Sequence, residues 1–238
     1  MKKLIGKFVP AFIKRWRNDY LKKRYLHMIK VKPPEKVFEH IYKTKYWGED
    51  ESVSGAGSTF QQTEEVRRIL PVLFKKFNVA SFLDLPCGDF YWMVKVNLEG
   101  IDYTGADIVK DMIAENQVKY ATPKLNFKVI NLLTDELPAV DMMMCRDCFI
   151  HLSTENIFKG LENIKRSKIK YLLTTSYVDR TQNSDILTGQ WRALNLLIAP
   201  FNLTPIEIIS ENCTEADGLY PDKSLLLIDL EAWRNKTV

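Results

Sequence analysis

Two acids, each closing an apolar run, carry the first chemical signal in this 238-residue chain. Asp84 follows VASFL and opens a tight turn, Pro86-Cys87-Gly88-Asp89; Asp107 ends the next strand-like run, YTGA. A strand, a Gly-bearing turn and a second acid about 20 residues on form a nucleoside-binding arrangement. The turn lets backbone approach the ligand, and the second acid can accept hydrogen bonds from two ribose hydroxyls. Asp89 repels phosphate, no full Gly-x-Gly-x-x-Gly is present, and no Gly-Lys-Ser/Thr follows the turn. A phosphate-free nucleoside is therefore favoured over a dinucleotide, and a P-loop is excluded.

CRDCFIHLS, residues 145–153, is the second concentration of chemistry. Arg146, Asp147 and His151 fall just past a strand end, where buried charges need partners. Two readings stay open. In one, Arg146 and Asp147 form a structural network and His151 turns toward a helix N-terminus. In the other, His151 is a general base, with Asp147 its orienter or a substrate ligand. Contact between Asp147 and His151 requires the backbone to turn between them. Trp92, Tyr177, Trp191, Arg192 and Tyr220 are the candidate acceptor wall, aromatic faces for a sugar and an arginine fork for carboxylate or phosphate. Lys223 and Asp222 at the hairpin tip either complete that wall or are simply polar tip residues. Cys145 and Cys148 form a CxxC pair with no second pair and no helix opening, so neither zinc nor redox chemistry is expected, and no ligand cluster implies a metal.

The elements that position these residues alternate. Strands are predicted over 80–84, 102–106, 125–130, 140–145, 169–176, 205–210 and 223–230, with helical segments over 89–97, 108–119 and 153–166 between the first five. This rhythm predicts an α/β fold with a mostly parallel sheet covered on both faces. The last two strands lack an intervening helix, which predicts a C-terminal antiparallel hairpin. Thr63 is the expected N-cap of a helix burying Val66, Ile69, Leu70, Leu73, Phe74 and Phe77, with Pro71 weakening its first half. Three segments result: a basic amphipathic arm over 1–34, a helical extension and cofactor-covering loop over 35–78, and the main domain over 79–238. In the loop, Trp47 is more than a linker needs, and Ser58, Thr59, Gln61 and Gln62 either cover the cofactor or form a flexible connection.

The net charge of +4 conceals an asymmetry: residues 1–32 hold 11 Lys/Arg and one acid, Asp19. The main domain is acidic, which disfavours nucleic acid as a partner. Leu4, Phe8, Phe12, Trp16 and Tyr20 recur every four residues, with Lys7, Lys14, Arg15, Arg17 and Lys22 around them and a kink expected at Pro10. Such a helix packs on the domain, docks a partner chain or lies on an anionic membrane surface. No stretch approaches a transmembrane span, and the first residues lack the apolar core of a signal peptide. Four scattered cysteines suit a reducing compartment. The expectation is a cytoplasmic protein, with contact at the inner face of the membrane through residues 1–30 left open.

Over residues 60–232 the chain resembles the class I S-adenosylmethionine-dependent methyltransferases. DLPCGD, 84–89, is similar to their first motif, and Asp107 to their ribose-binding acid. Asn131 stands where an acid is common near the adenine amino group. The resemblance implies a Rossmann-like methyltransferase fold with seven strands and S-adenosylmethionine as cofactor. It implies that Asp84 reaches the methionine amino group, that Pro86, Cys87, Gly88 and Arg146 line the donor site, and that Ile108 and Leu132 sandwich the adenine. CRDCFIHLS and TGQWRALNLLIAPF are similar to a bacterial branch associated with surface-sugar modification. O-methylation of a sugar or sugar-linked small molecule is the preferred expectation. N-methylation of a small amine and a non-catalytic interaction domain are the alternatives. Oligomeric state is not legible.

Overall fold

The computed structural model describes residues 11–48 and 50–235. The seven strands are β1 (Ser81–Asp84), β2 (Asp102–Asp107), β3 (Leu125–Val129), β4 (Met142–Cys145), β5 (Tyr171–Tyr177), β6 (Glu207–Ser210) and β7 (Lys223–Asp229). They form one sheet in the order β3-β2-β1-β4-β5-β7-β6. The first five are parallel, and β7 inserts antiparallel between β5 and β6. This is the α/β, Rossmann-like architecture the sequence predicts. Strand order reverses between β1 and β4, so a ligand crevice is expected beyond the carboxyl ends of those two strands.

Burial explains the strand sequences. Every residue of β4, MMMC, is buried, while the edge strand β6 alternates half-buried and exposed residues. Helices cover both faces of the centre, so continuous apolar runs suit it. On one face Phe82, Tyr103 and Met142 pack with Val66, Leu70, Leu73 and Phe74 of α3 (Glu64–Lys76). On the other, Leu83, Met143 and Leu172 pack with Ile157, Leu161 and Ile164 of α5 (Thr154–Arg166). α4 (Lys110–Tyr120) follows β2, and α6 (Glu215–Gly218) and α7 (Leu230–Asn235) are short.

Two local expectations fail. Residues 89–97 form no α-helix, only a 3-10 turn over Met93–Lys95. The Asp89 carboxylate accepts from the Tyr91 N–H, and Phe90 adopts a left-handed φ of 59°, which a helix cannot continue. Thr63 stands at the expected N-cap of α3, but its side chain makes no capping bond; its hydroxyl donates backward to the Thr59 carbonyl at 2.8 Å. α3 nevertheless runs through Pro71.

The end of the arm and the first part of the expected 35–78 extension act together as a cap, whereas its last helix, α3, belongs to the sheet core. α1 (Ala11–Val31) and α2 (Pro34–Thr44) bury Tyr25, Ile29, Val37 and Ile41 against one another. The packed part of the arm is therefore its C-terminal half. Trp16 and Tyr20 are exposed and stacked on each other at 5.8 Å. Leu4, Lys7, Phe8 and Pro10 lie outside the described residues, as do the side chains of Phe12, Lys14 and Arg17. The cap bridges two distant parts of the domain. On one side the Tyr25 hydroxyl donates to the Gly189 carbonyl at 2.6 Å; on the other the Tyr42 hydroxyl donates to Glu115 of α4 at 2.7 Å.

Gly189 makes the first docking possible. Its φ is +100°, and a Cβ there would lie 2.5 Å from Val37 Cγ1. Gly189→Ala is expected to destabilise the protein by about 1–3 kcal/mol and to speed amide exchange in α2. Unchanged protection of α2 by hydrogen exchange would contradict this docking.

Candidate functional site

The crevice beyond β1 and β4 is a cleft of about 1170 Å³, counting its open mouth. Its floor is the turn after β1. Gly88 has φ +57°, and a Cβ there would meet Ser54 Oγ at 2.3 Å, so glycine lets the loop over 52–58 close onto the turn. Asp89 fastens that loop, accepting from the Ser52 hydroxyl and the Val53 N–H, both at 3.0 Å. Asp107 accepts from the N–H groups of Gly88 and Val109 at 3.3 and 3.0 Å, one on each carboxylate oxygen. Each of those oxygens keeps a further lone pair. Asp84 accepts from the Tyr103 hydroxyl at 2.8 Å through Oδ2, while its buried Oδ1 has no partner among the described residues. Burial pushes Asp84 up to about 7 and Asp107 up to about 6.

Pro86, Cys87, Gly88, Ile108, Asn131, Leu132, Trp92, Arg146, Asp147 and His151 also line this cleft, with Phe38, Ile41, Tyr42 and Trp47 of the cap. Cys87 is buried, its thiol pushed upward by burial, and plays a packing part. Asn131 Oδ1 already accepts from the Leu133 N–H at 3.0 Å.

Behind the cleft lies a buried ionic cluster. Arg146 donates through Nε and Nη2 to Glu211 Oε2 at 2.9 and 2.7 Å, and its Nη1 lies 3.1 Å from Asp147 Oδ2. Its guanidinium carbon sits 5.8 Å from the Trp92 ring centroid. Lys223 Nζ donates to Asp147 Oδ2 at 2.9 Å and to Glu215 Oε2 at 3.0 Å. The antiparallel entry of β7 produces this meeting. Because β7 runs against β5, its first residue, Lys223, pairs with the last residue of β5, Tyr177. Burial opposes the charges of Arg146 and Lys223, but their carboxylate neighbours outweigh it and raise both. Burial likewise opposes charge on Asp147, yet Arg146 and Lys223 hold it at about 2.

A second cavity of about 630 Å³, again counting its mouth, adjoins the cleft. Trp47, Ser54, Asp147 and His151 border both. Ile150, Tyr177, Trp191, Glu215, Lys223 and residues 55–57 complete it. His151 stacks on Trp47 at 4.2 Å, and its Nδ1 lies 2.9 Å from the Gln190 carbonyl. A carbonyl only accepts, so Nδ1 carries the proton and Nε2 keeps its lone pair. Burial pushes His151 down to about 4, which leaves the ring neutral at ordinary pH.

Several sequence assignments are corrected. Asp147 does not orient His151; Gln190 does, while Asp147 belongs to the ionic cluster. Arg146 borders the cleft but spends its donors on Glu211 and Asp147. Arg192 is no acceptor fork: it is buried, lines neither cavity and donates to the Leu152 carbonyl at 2.8 Å, shaping the 150–152 turn. Tyr220 lines neither cavity and packs edge-on against Tyr177 and Trp191. Trp92 sits on the donor side, whereas Tyr177 and Trp191 face the second cavity. Gln62 binds Thr214 rather than a ligand, clasping the loop to the β6–β7 connection. Among the described residues no group of three His, Cys, Asp or Glu could hold a metal ion.

Glu211 and Glu215 escaped the sequence reading. Glu211 follows the edge strand directly, and Lys223 opens the wholly apolar run LLLI after one serine. A lysine fused to a core strand signals a buried partner, but nothing in the sequence pairs it with residue 147.

No protein-family model matches the chain, and no curated protein sequence matches it. Solved structures do. Human N-acetylserotonin methyltransferase, solved in complex with SAM, superposes with a TM-score of 0.59 at 13% identity, over 86% of this chain. The chain spans 61% of the length of that enzyme. The 1,6-didemethyltoxoflavin N1-methyltransferase of Burkholderia thailandensis, solved with its substrate and S-adenosylhomocysteine, gives 0.56 at 12% identity over 81% of this chain and 84% of its own. Magnesium protoporphyrin IX methyltransferase of Synechocystis, solved with SAM, gives 0.51 at 12% identity over 83% and 97%. The chain has the fold of these methyltransferases.

Arg146→Met leaves the Asp147, Glu211 and Glu215 charges facing Lys223 alone. It is expected to cost about 3–5 kcal/mol in chemical denaturation. A loss below about 1 kcal/mol would show that the cluster is not bound together through Arg146.

Proposed function

We propose that the protein is an S-adenosylmethionine-dependent methyltransferase acting on a small-molecule hydroxyl acceptor, a sugar or sugar-linked molecule in the preferred form. One observation carries this reading: a cleft floored by Asp84 and Asp107 shares a wall, Asp147 and His151, with a second, aromatic cavity. The methyltransferase fold of the solved neighbours supports it.

The donor cleft fits the cofactor. The orphaned Asp84 Oδ1 suits a substrate ammonium, and the spare lone pairs of Asp107 suit two ribose hydroxyls. Ile108 and Leu132 offer apolar surface to a flat ring. Asp89 faces no phosphate, because S-adenosylmethionine has none, and serves the loop instead. When bound, S-adenosylmethionine supplies a methyl group already activated on a sulfonium. The residues then align and receive. Trp47, Tyr177 and Trp191 line the acceptor's space, and Glu215, whose Oε1 accepts from none of the described residues, can take a hydrogen bond from its hydroxyl. His151 Nε2 takes the hydroxyl proton as the oxygen–methyl bond forms and the sulfur–methyl bond breaks, the sulfonium leaving as a neutral thioether. A weak base suffices, since a hydroxyl oxygen that has gained a methyl group is strongly acidic.

Burial sets a pH dependence. Asp84 and Asp107 have raised values, so both are increasingly protonated as pH falls through about 7 and then about 6. A protonated carboxyl loses the charge that holds ammonium or ribose. Calorimetric affinity for S-adenosylhomocysteine is expected to fall roughly tenfold or more between about pH 8 and pH 5, and Asp107→Ala to weaken it about 10- to 100-fold at pH 8. Undetectable binding at any pH would favour the non-catalytic alternative and end the enzyme reading.

We also propose that the arm touches an anionic membrane surface. Its support is the exposed, stacked Trp16 and Tyr20 flanked by Arg15, Lys22, Lys23 and Arg24. No helix among the described residues is long and apolar enough to cross a membrane. Removing residues 1–22 spares Tyr25 and Ile29 of the cap, so the shortened protein is expected to stay folded yet to lose co-sedimentation with phosphatidylserine vesicles. Equal sedimentation of both forms would contradict the contact.

A further inference from the structure

The charges around the second cavity are unequally engaged. Lys223 is buried, and its ammonium is occupied by Asp147 and Glu215, with Glu211 Oε2 a further 3.8 Å away. Arg146 is spent on Glu211 and Asp147. Arg180 is held by both oxygens of Asp222, and Arg192 points inward to the 150–152 carbonyls. Lys223, the cation that lines this cavity, is paired; Arg192, whose buried Nε and Nη2 have no partner among the described residues, lines neither cavity. The carboxylates are less fully used. Asp147 directs all its hydrogen bonding through Oδ2 and leaves Oδ1 without a partner. Glu215 engages Lys223 and Cys213 through Oε2, and its Oε1 accepts from none of the described residues. The cluster holds two cations and three carboxylates, Asp147, Glu211 and Glu215. Two of those carboxylates, with neutral His151 and three aromatic rings, border the space.

We infer that this cavity selects its acceptor by charge: it admits neutral or cationic groups rich in O–H or N–H donors and rejects carboxylate and phosphate groups, with Glu215 a specificity-determining residue. The inference rests on the methyltransferase reading and deepens it. A neutral polyol or an ammonium group can donate to the free Glu215 Oε1, and the aromatic lining of Trp47, Tyr177 and Trp191 suits either a sugar or a cation. An anion brought to the same place meets the Asp147 and Glu215 carboxylates, and the neighbouring Arg146 and Lys223 are already paired, which costs it affinity. The arginine fork that would have welcomed an anion, Arg192, is turned away. Donor-rich acceptors of both kinds share one chemistry, and the experiment separates them.

The test uses the full chain saturated with S-adenosylhomocysteine and four matched probes: methyl glucopyranoside, glucosamine, glucuronate and glucose 6-phosphate. Affinities come from ligand-observed saturation-transfer NMR. Methyl glucopyranoside, glucosamine or both are expected to bind at least about tenfold more tightly than glucuronate and glucose 6-phosphate. Which of the first two binds better tells a polyol from an ammonium site. Glu215→Gln is expected to narrow the gap to about threefold or less, and about 1 M salt to narrow it in the unaltered protein. Equal or tighter binding of the anionic probes, or no binding by either non-anionic probe, overturns the inference. Failure of S-adenosylhomocysteine itself to bind, seen calorimetrically beforehand, instead removes the reading beneath it.

Discussion

The site depends on five charges brought together out of water. Arg146 and Asp147 follow β4, Glu211 follows β6, Glu215 lies in the connection, and Lys223 begins β7. Charges removed from water are costly unless closely paired, so these five tolerate little displacement. Their meeting is a product of topology. Five parallel strands deliver their carboxyl ends to one edge of the sheet, and only an antiparallel neighbour can deliver its amino end there. β7 does so, and Lys223 arrives beside Tyr177 and within reach of Asp147. Asp147 is thereby fixed, with a left-handed φ of 51°, as the partition between two cavities.

The remaining walls are built by packing onto that edge. Asp89 ties the 52–58 loop to the β1 turn, and Gly88 lets it approach closely. Above Gly57 the same loop meets the ionic cluster, where an added Cβ would lie 3.0 Å from Asp147 Oδ2. Trp47 then stacks on His151, while α1 bonds to Gly189 and α2 to α4. The cap is thus both a roof for the cleft and a wall of the second cavity. Its attachment by a few hydrogen bonds and a small apolar cluster makes it the less strongly anchored part of the enclosure.

Much of this was legible in the residues. Apolar runs and their spacing gave all seven strands, and the missing helix between the last two gave the hairpin. Asp84, Gly88 and Asp107 were identifiable because strand-end acids and a turn glycine act locally, within a few residues of where they stand in sequence. Of the ionic cluster the Arg146–Asp147 pair was legible as one of two open readings, but its distant members were not, because it joins residues up to 76 positions apart, as in Lys223 and Asp147. Arg192 misled for the same reason: an arginine beside a tryptophan looks like an acceptor fork until the fold turns it toward the Leu152 carbonyl. The 89–97 segment failed locally, where Asp89 and the left-handed Phe90 outweighed helix-forming neighbours.

In the proposed function, one edge of this sheet holds a methyl donor on Asp84 and Asp107 and turns its sulfur toward the wall of Asp147 and His151. A crystal structure of the protein with S-adenosylhomocysteine tests it most directly. The account expects the ribose hydroxyls on Asp107, the amino group at Asp84 Oδ1, and the sulfur opening onto the cavity of Trp47, Tyr177 and Trp191. A ligand seated elsewhere, or one whose sulfur points away from Asp147 and His151, would contradict it.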